Sequence, residues 1–334
     1  MPVKDALVEP LRALGAEVNC FATPGVVSMM TACRRIALYC RREGIALLHC
    51  HLPLTGVIGR VAGLLAGIPV VYSEHSKQEG YHPLTRLASR LTWRWQKDVV
   101  AISEAVKKSI EHNLGARIPI RVVLNGVDTR RFTRDPATGL DVRRKIGIPD
   151  GAPVVGTVAV FRTPKRLDHW VDAARRVHRQ LPDAHFIVVG DGPLMTEIRE
   201  AARAAELTSA IHFAGLREDV RPWLSAMDVF MMTSEVEGLP LALLEAMAME
   251  CAAAATAVGG IPEVISDATV GVCVAPGEIH ALSDRVAELL QCPEARQTMA
   301  KAGRQTVEQR FSIVRMTREI EAIYDLVLNG GHAH

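Results

Sequence analysis

Two carboxylates, Glu237 and Glu245, bracket the run EGLPLALLE, and none of the residues between them is charged. Pro240 suits the first turn of a helix, because its φ is fixed and its missing N–H would have no partner there. The pattern predicts a helix from Leu239 through Met249, with Glu237 on the loop before it. Glu245 then lies roughly 7.5 Å along the axis from Pro240. Leu241, Leu243, Leu244, Met247 and Ala248 make this helix apolar on nearly every side, so it packs on both flanks. A carboxylate in that setting must reach water, pair, or bind something. The loop ahead of the helix offers free backbone N–H groups and the positive dipole end, a seat for phosphate or hydroxyl oxygens. An acid on either side suits a ligand with a charged middle and hydroxyls at both ends. A nucleotide sugar has that form, with ribose at one carboxylate and hexose at the other. The plainer reading makes Glu237 a solvated loop acid and Glu245 an ion-paired rim residue; the spacing leaves the two even.

Three other stretches bear on that choice. FRTPKRLD follows an apolar run, and ligands in parallel-sheet folds bind beyond strand C-termini. Arg162 and Lys165 there would neutralise a diphosphate without a metal, or simply be a solvated helix start. VVGDGPL (188–194) is a glycine turn at another strand end, a feature that ordinary sheet geometry also uses. TAVGGIPEVI (256–265) gives a Gly-Gly loop before a helix, which makes Glu263 a first-turn helix acid rather than a catalyst.

Positioning these groups requires strands and helices in alternation. The runs 154–160, 185–190, 211–215 and 228–233 are short and apolar. RLDHWVDAARRVHRQL between two of them places Leu167, Trp170, Val171, Ala174 and Val177 at helical spacing. That alternation means βαβ units and a parallel sheet. A strand at 252–256 is less marked because CAAAAT is alanine-rich. The N-terminal half follows the same plan: a helix over 3–14, the strand AEVNCF, a basic helix, the strand IALLHC, a helix at GVIGRVAGLLAG, and the strands PVVYS and DVVAIS. NGVDTRRFTRDPATGLDVRRKIGIPDGAP, dense in Pro, Gly and charge, reads as the connection between halves. GRQTVEQRFSIVRMTREIEAIYDLVL reads as one closing helical stretch.

With 334 residues the chain is long enough for two domains. Lys and Arg total 39 against 37 acids, a balance that argues against nucleic acid as a partner. The 7 cysteines lack paired spacing and read as free thiols in a reducing compartment. Without an N-terminal apolar leader or a run long enough to span a bilayer, the expectation is a cytoplasmic protein.

Taken together, the motifs resemble those of the retaining glycosyltransferases of family 4, of GT-B architecture. The matching pieces run in order over most of the chain: LLHCHL, GIPVVYSEH, VVAISEAVKKSI, NGVD, FRTPKRLD, VVGDGPL, HFAG, DVFMMTSEVEGLPLALLEAMA and VGGIPEVI. The resemblance implies an α/β protein of two Rossmann-like domains with parallel sheets facing a cleft. It implies an incomplete acceptor-side domain over 1–127, a linker over 128–152, a donor domain over 153–310, and a C-terminal helix and tail over 311–334. EGLPLALLE is then the E-x7-E signature. Glu237 would contact the donor sugar, Glu245 the ribose, and the backbone of Gly238, Leu239 and Pro240 the sugar hydroxyls. Arg162 and Lys165 would hold the diphosphate, and the turn at Gly215 and Leu216 would border the base. His75 would approach the transferred sugar, so that His75, Glu237, Arg162 and Lys165 form the catalytic set. His49 and His51 match an H-x-H pattern in which His51 reads as structural. Neither a metal nor another cofactor is implied.

The family begins with a strand and a glycine-rich loop that wall the cleft, and this chain begins in a helix. A β-α-β unit of roughly 30 residues or more is expected to be missing. As that strand is central, its loss should leave a gap or force new pairing, and an impaired donor-binding module is the alternative to an active enzyme. After the signature helix, Glu250 and CAAAA replace a Gly turn and a Val-rich strand, which should loosen local packing. HPLTRLASRLTWRWQKD places Arg86, Arg90, Arg94 and Lys97 along one stripe beside Trp93 and Trp95. This is a solvated face with core tryptophans, or a face for anionic lipid, hence peripheral contact at the inner membrane face. The acceptor would be a glycan, a lipid-linked glycan or a small molecule. The residues leave open the base, sugar, acceptor, linkage and oligomeric state.

Overall fold

Short runs of β-formers alternate with amphipathic helices to build two parallel sheets, each covered by helices. The computed structural model describes residues 8–21, 23 and 25–330. The first unit contains α1 (Val8–Ala13), α2 (Val26–Arg42), β1 (Leu48–His51), α3 (Pro53–Ala66), β2 (Val70–Glu74), α4 (Pro83–Thr92), β3 (Asp98–Ala101), α5 (Glu104–Leu114) and β4 (Ile120–Val122). Its strands pair in the order β1-β2-β3-β4, all parallel. Every residue of β2 and β3 is buried, as the middle of a parallel sheet requires.

The second unit contains α6 (Pro136–Lys145), β5 (Val154–Val158), α7 (Leu167–Gln180), β6 (His185–Val189), α8 (Met195–Ala204), β7 (Ile211–Gly215), α9 (Arg221–Ser225), β8 (Val229–Met232), α10 (Leu241–Ala248), β9 (Ala252–Thr256), α11 (Ile261–Val264), β10 (Gly271–Val274), α12 (Ile279–Gln291) and α13 (Pro293–Arg310). Its sheet runs β10-β9-β8-β5-β6-β7. The α/β architecture of two Rossmann-like parallel sheets is therefore as the motifs implied. The five apolar positions of α7 are all buried.

Several local expectations need correction. Residues 16–21 form no strand. A strand is held by ladder bonds to a neighbour; β1 is an edge strand bonded only to β2 among the described strands, and AEVNCF, largely exposed, does not pair with its open side. Among the described residues the first sheet ends at β1, whose other edge carries no strand. The helix expected over 3–14 is described only as Val8–Ala13; residues 1–7 lie outside the described set. The stretch read as a connection holds α6, whose Gly139 lies so close to α9 that a Cβ would meet the Ser225 carbonyl at 2.4 Å. The closing helical stretch breaks at Phe311–Ser312 into α13 and α14 (Ile313–Leu328).

That break returns the chain to the first sheet. Ile320, Tyr324 and Val327 of α14 pack with Ile323 against Val71, Val100 and Val123. The two chain crossings touch where Val127 N–H donates to Phe311 and Ile313 N–H donates to Val127. At Gly126 a Cβ would meet the Ser312 carbonyl at 2.6 Å, which accounts for glycine in NGVD.

β9 is buried along its whole length, so the expected loosening is absent there. Ala253 and Ala255 belong to the α10 side of the sheet and Ala252 and Ala254 to the opposite side. The turn before it is different. Glu250 has φ 56°, a left-handed conformation in which a Cβ costs energy. Glu250→Gly is expected to raise stability by about 1 kcal/mol, checked by denaturant unfolding.

Candidate active site

Each acid of EGLPLALLE is placed by a different device. α10 begins at Leu241, and Pro240 is the extended residue before it rather than its first helical residue. The Leu239 side chain is 3% exposed and anchors the loop in the core. Its carbonyl accepts from Asn125 Nδ2 of the first unit at 3.0 Å, while the Gly238 carbonyl accepts from the Gly260 N–H at 2.6 Å and Ser103 Oγ at 3.4 Å. Protein donors thus occupy both carbonyls, leaving the loop to meet a ligand through its amides.

Opposite this loop, FRTPKRLD forms a tight turn over Thr163–Lys165 and a left-handed Arg166 (φ 45°). Residues after β8 clamp it: Thr233 Oγ1 donates to the Arg166 carbonyl at 2.8 Å, and Glu235 N–H to the Pro164 carbonyl at 2.8 Å. Arg166 also pairs with Asp168 at 2.8 Å. The clamp brings Lys165 Nζ to 2.6 Å from Glu237 Oε1, with the Glu237 side chain 8% exposed and that of Lys165 28%. The sequence reading gave these two separate roles and did not foresee their ion pair. Arg162 is exposed beside them.

Glu245 is half-buried in α10. Burial holds its pKa above the usual carboxylate range, with Arg131 opposing the rise. Hydroxyl donors bound to the carboxylate would favour its ionised form. Nucleotide affinity is therefore expected to fall as pH drops through that raised pKa. Because the raised value disfavours the ionised native state at neutral pH, Glu245→Gln should weaken nucleotide binding by about tenfold, the loss of a charged hydrogen bond, without lowering the melting temperature. Calorimetric titration and thermal unfolding check both halves. Gly215 (φ 72°) ends β7, and Leu216, 62% exposed, follows it.

From the first unit, His75 follows β2 and its carbonyl lies against Gly238, where a Cβ would approach it to 2.2 Å. Its Nε2 bonds His51 Nδ1 at 2.9 Å. Burial holds both pKa values below the ordinary histidine value, so the pair is neutral at neutral pH, one ring donating and the other accepting. His49 sits behind them, bonded to Tyr324 of α14 at 2.5 Å and Ser73 at 2.7 Å. Burial, then the His51 and His75 charges, pushes its pKa down to about 4. Among the described residues no group of His, Cys, Asp and Glu is placed to hold a metal ion.

One residue, Glu74, and one contact, made by Glu263, escaped the sequence reading. Glu74 is fully buried and accepts from Tyr72 Oη at 2.9 Å and His75 N–H at 3.0 Å, and from Gln78 and Tyr81. Burial raises its pKa against the pull of those bonds. It fixes the backbone that carries His75. The available signal was an acid ending an apolar strand, tolerated only with partners. Glu263 is in the first turn of α11 as expected, but its carboxylate also accepts from the Glu104 and Ala105 N–H groups at 3.0 and 3.1 Å. It thereby caps α5 across the cleft, where an anion meets the positive helix end.

The family model described as "Glycosyl transferases group 1" matches residues 140–306, and that described as "Glycosyltransferase Family 4" matches residues 6–131. N-acetyl-alpha-D-glucosaminyl L-malate synthase of Bacillus anthracis is 27% identical over 300 residues, covering 88% of this chain and 78% of its own. UDP-Gal:alpha-D-GlcNAc-diphosphoundecaprenol alpha-1,3-galactosyltransferase of Escherichia coli is 26% identical, covering 98% of this chain and 87% of its own. The crystal structure of Anabaena Alr3699/HepE in complex with UDP-glucose superposes with a TM-score of 0.87 at 22% identity, covering 96% of this chain and 89% of that one.

Proposed function

The chain belongs to the family 4 glycosyltransferases, and from that premise we propose that it moves a sugar from a nucleoside diphosphate to an acceptor hydroxyl with the anomeric configuration retained. The observation that carries the reading is the Lys165–Glu237 pair at 2.6 Å, set against His75 across the cleft, with Glu245 about one turn into α10.

The diphosphate lies against Arg162 and Lys165, the ribose hydroxyls bond Glu245, and the base borders Gly215 and Leu216. The Glu237 carboxylate and the backbone N–H groups of Gly238 and Leu239 bond the sugar hydroxyls, and Pro240, which has no N–H, shapes the loop. The bond from the anomeric carbon to the diphosphate oxygen breaks as the acceptor oxygen bonds that carbon on the same face, and the acceptor proton passes to the leaving phosphate. Arg162 and Lys165 stabilise the charge that develops on the diphosphate. This division of labour asks for neither a dedicated base nor a cofactor.

The acceptor is a glycan, lipid-linked glycan or small molecule, and nucleic acid has no place in the scheme. The name of the Escherichia coli relative, a transferase to a diphosphoundecaprenol-linked sugar, supports the lipid-linked form and peripheral membrane contact. Among the described residues no helix is long and apolar enough to cross a membrane.

The test is a panel of UDP-, GDP- and ADP-sugars, beginning with UDP-glucose, assayed for nucleotide release and product anomer. At least one donor should be consumed with retention, and Glu237→Gln should abolish the release. Inversion, or inertness across the panel with all three acceptor classes, would overturn the proposal.

A further inference from the structure

α4 is turned inside out relative to an ordinary surface helix. Leu84, Leu87 and Leu91 are 69%, 54% and 71% exposed, while Ser89 and Thr92 are 4% and 7% exposed. A surface helix normally buries its apolar stripe and presents its polar one. The inversion has a local cause. Arg60 of α3 is fully buried, with its guanidinium 5.2 and 5.5 Å from the centres of the Tyr72 and Trp93 rings. A buried charge needs hydrogen-bond acceptors; Gln96 and Ser89 supply them at 3.0 and 3.4 Å. The Ser89 and Thr92 side of α4 therefore turns inward, and its leucines face out beside its arginines.

Those leucines are not scattered. At the helical repeat, Leu84, Leu87 and Leu91 fall within an arc of about 60°. Leu84 and Ala88 edge a groove of ≈ 700 Å³ shared with α2 and α3 and floored by Met29, Cys33, Val57 and Val61. That volume is in the range of occupied ligand sites, about 300–1,000 Å³. On the other side of the leucine arc come Arg86 and Arg90, then Arg94 and Lys97 beyond the helix end, all exposed. Trp95, 43% exposed, stands between the last two. An apolar strip with a tryptophan at its end and a cationic border has the layout of a surface that inserts side chains at the headgroup boundary of an anionic bilayer. The expectation that both tryptophans belong to the core holds for Trp93, 3% exposed, and fails for Trp95.

We propose that the α2–α3–α4 face docks on an anionic lipid bilayer, with Leu84, Leu87 and Leu91 entering the acyl boundary, an acyl chain in the groove, and Arg90, Arg94 and Lys97 on lipid phosphates. It rests on the reading of a transferase with a lipid-linked acceptor and assigns the surface by which that acceptor is reached.

The experiment is flotation of the full chain with vesicles of equal parts phosphatidylglycerol and phosphatidylcholine. Wild-type protein should float with them, and Leu84→Ser/Leu91→Ser should lower the bound fraction at least tenfold. Arg90→Glu/Lys97→Glu should do the same at low salt. All variants change exposed side chains, and unaltered melting curves and donor consumption in lipid-free solution will show that fold and site survive. Failure of the wild type to float overturns the docking proposal, as does binding that ignores the leucine pair. A concentration-dependent dimer lost in the leucine variants, without flotation, assigns the face to a second copy and equally overturns it. Donor consumption in solution stands apart from these outcomes, so a failed docking proposal is distinguishable from a failed transferase reading.

Discussion

Gly238→Ala is expected to slow sugar transfer by ~100-fold, the cost of misplacing reacting groups by about 1 Å, while nucleotide affinity stays near that of the wild type. The reason is where the added methyl would go. Its nearest neighbours are the His75 carbonyl at 2.2 Å and Ile102 Cδ1 at 2.9 Å, both in the first unit. The three atoms nearest the added methyl all belong to the first unit, so the second sheet, Lys165 and Glu245 are expected to keep their positions. The strain is relieved by the two units moving apart, which carries His75 away from Glu237. Steady-state transfer rates and UDP titration on the same preparation separate these effects. Equal losses in both, or wild-type turnover, would mean that this close approach has no part in catalysis.

Lys165→Ala should lower turnover by about 10²–10³-fold, as removal of a charge-stabilising donor does in other enzymes, and it should destabilise the protein as well. Glu237 is 8% exposed and its carboxylate is held by Lys165 at 2.6 Å. Without that partner the charge is buried and unsatisfied, a cost of roughly 1–3 kcal/mol. Glu237→Gln should also abolish transfer but cost less stability, because the 28% exposed ammonium can turn to water. A lysine has three donors, so Lys165 can keep Glu237 while bonding a diphosphate oxygen. Denaturant unfolding of the two single variants and the double variant measures the asymmetry and the coupling. Equal destabilisation by both single changes would contradict the assigned burial, and wild-type rates in Lys165→Ala would remove it from the leaving-group site.

What was legible in the sequence was whatever depends on neighbours along the chain. Leu167, Trp170, Val171, Ala174 and Val177 are apolar at the helical repeat, and α7 buries all five. The apolar runs that read as strands pair in parallel, since a strand apolar on both faces has few other places to go. Glu237, Lys165 and His75 could be named because their motifs are local.

Tertiary structure decided everything that needed a second segment. AEVNCF has a strand's composition and forms none, because a ladder requires a partner that composition does not supply. Ala252–Ala255 has weak strand propensity and becomes a buried central strand, because β8 and β10 supply hydrogen bonds on both sides. Glu263 reads as a helix acid and is also a cap for a helix of the other unit. α4 reads as amphipathic, yet which side packs inward was decided by Arg60, more than twenty residues away, whose buried charge drew Ser89 inward and left the leucines outside with the arginines. Periodicity along a chain reports that a helix has two faces; only the charges and surfaces packed against it determine which one is left outside.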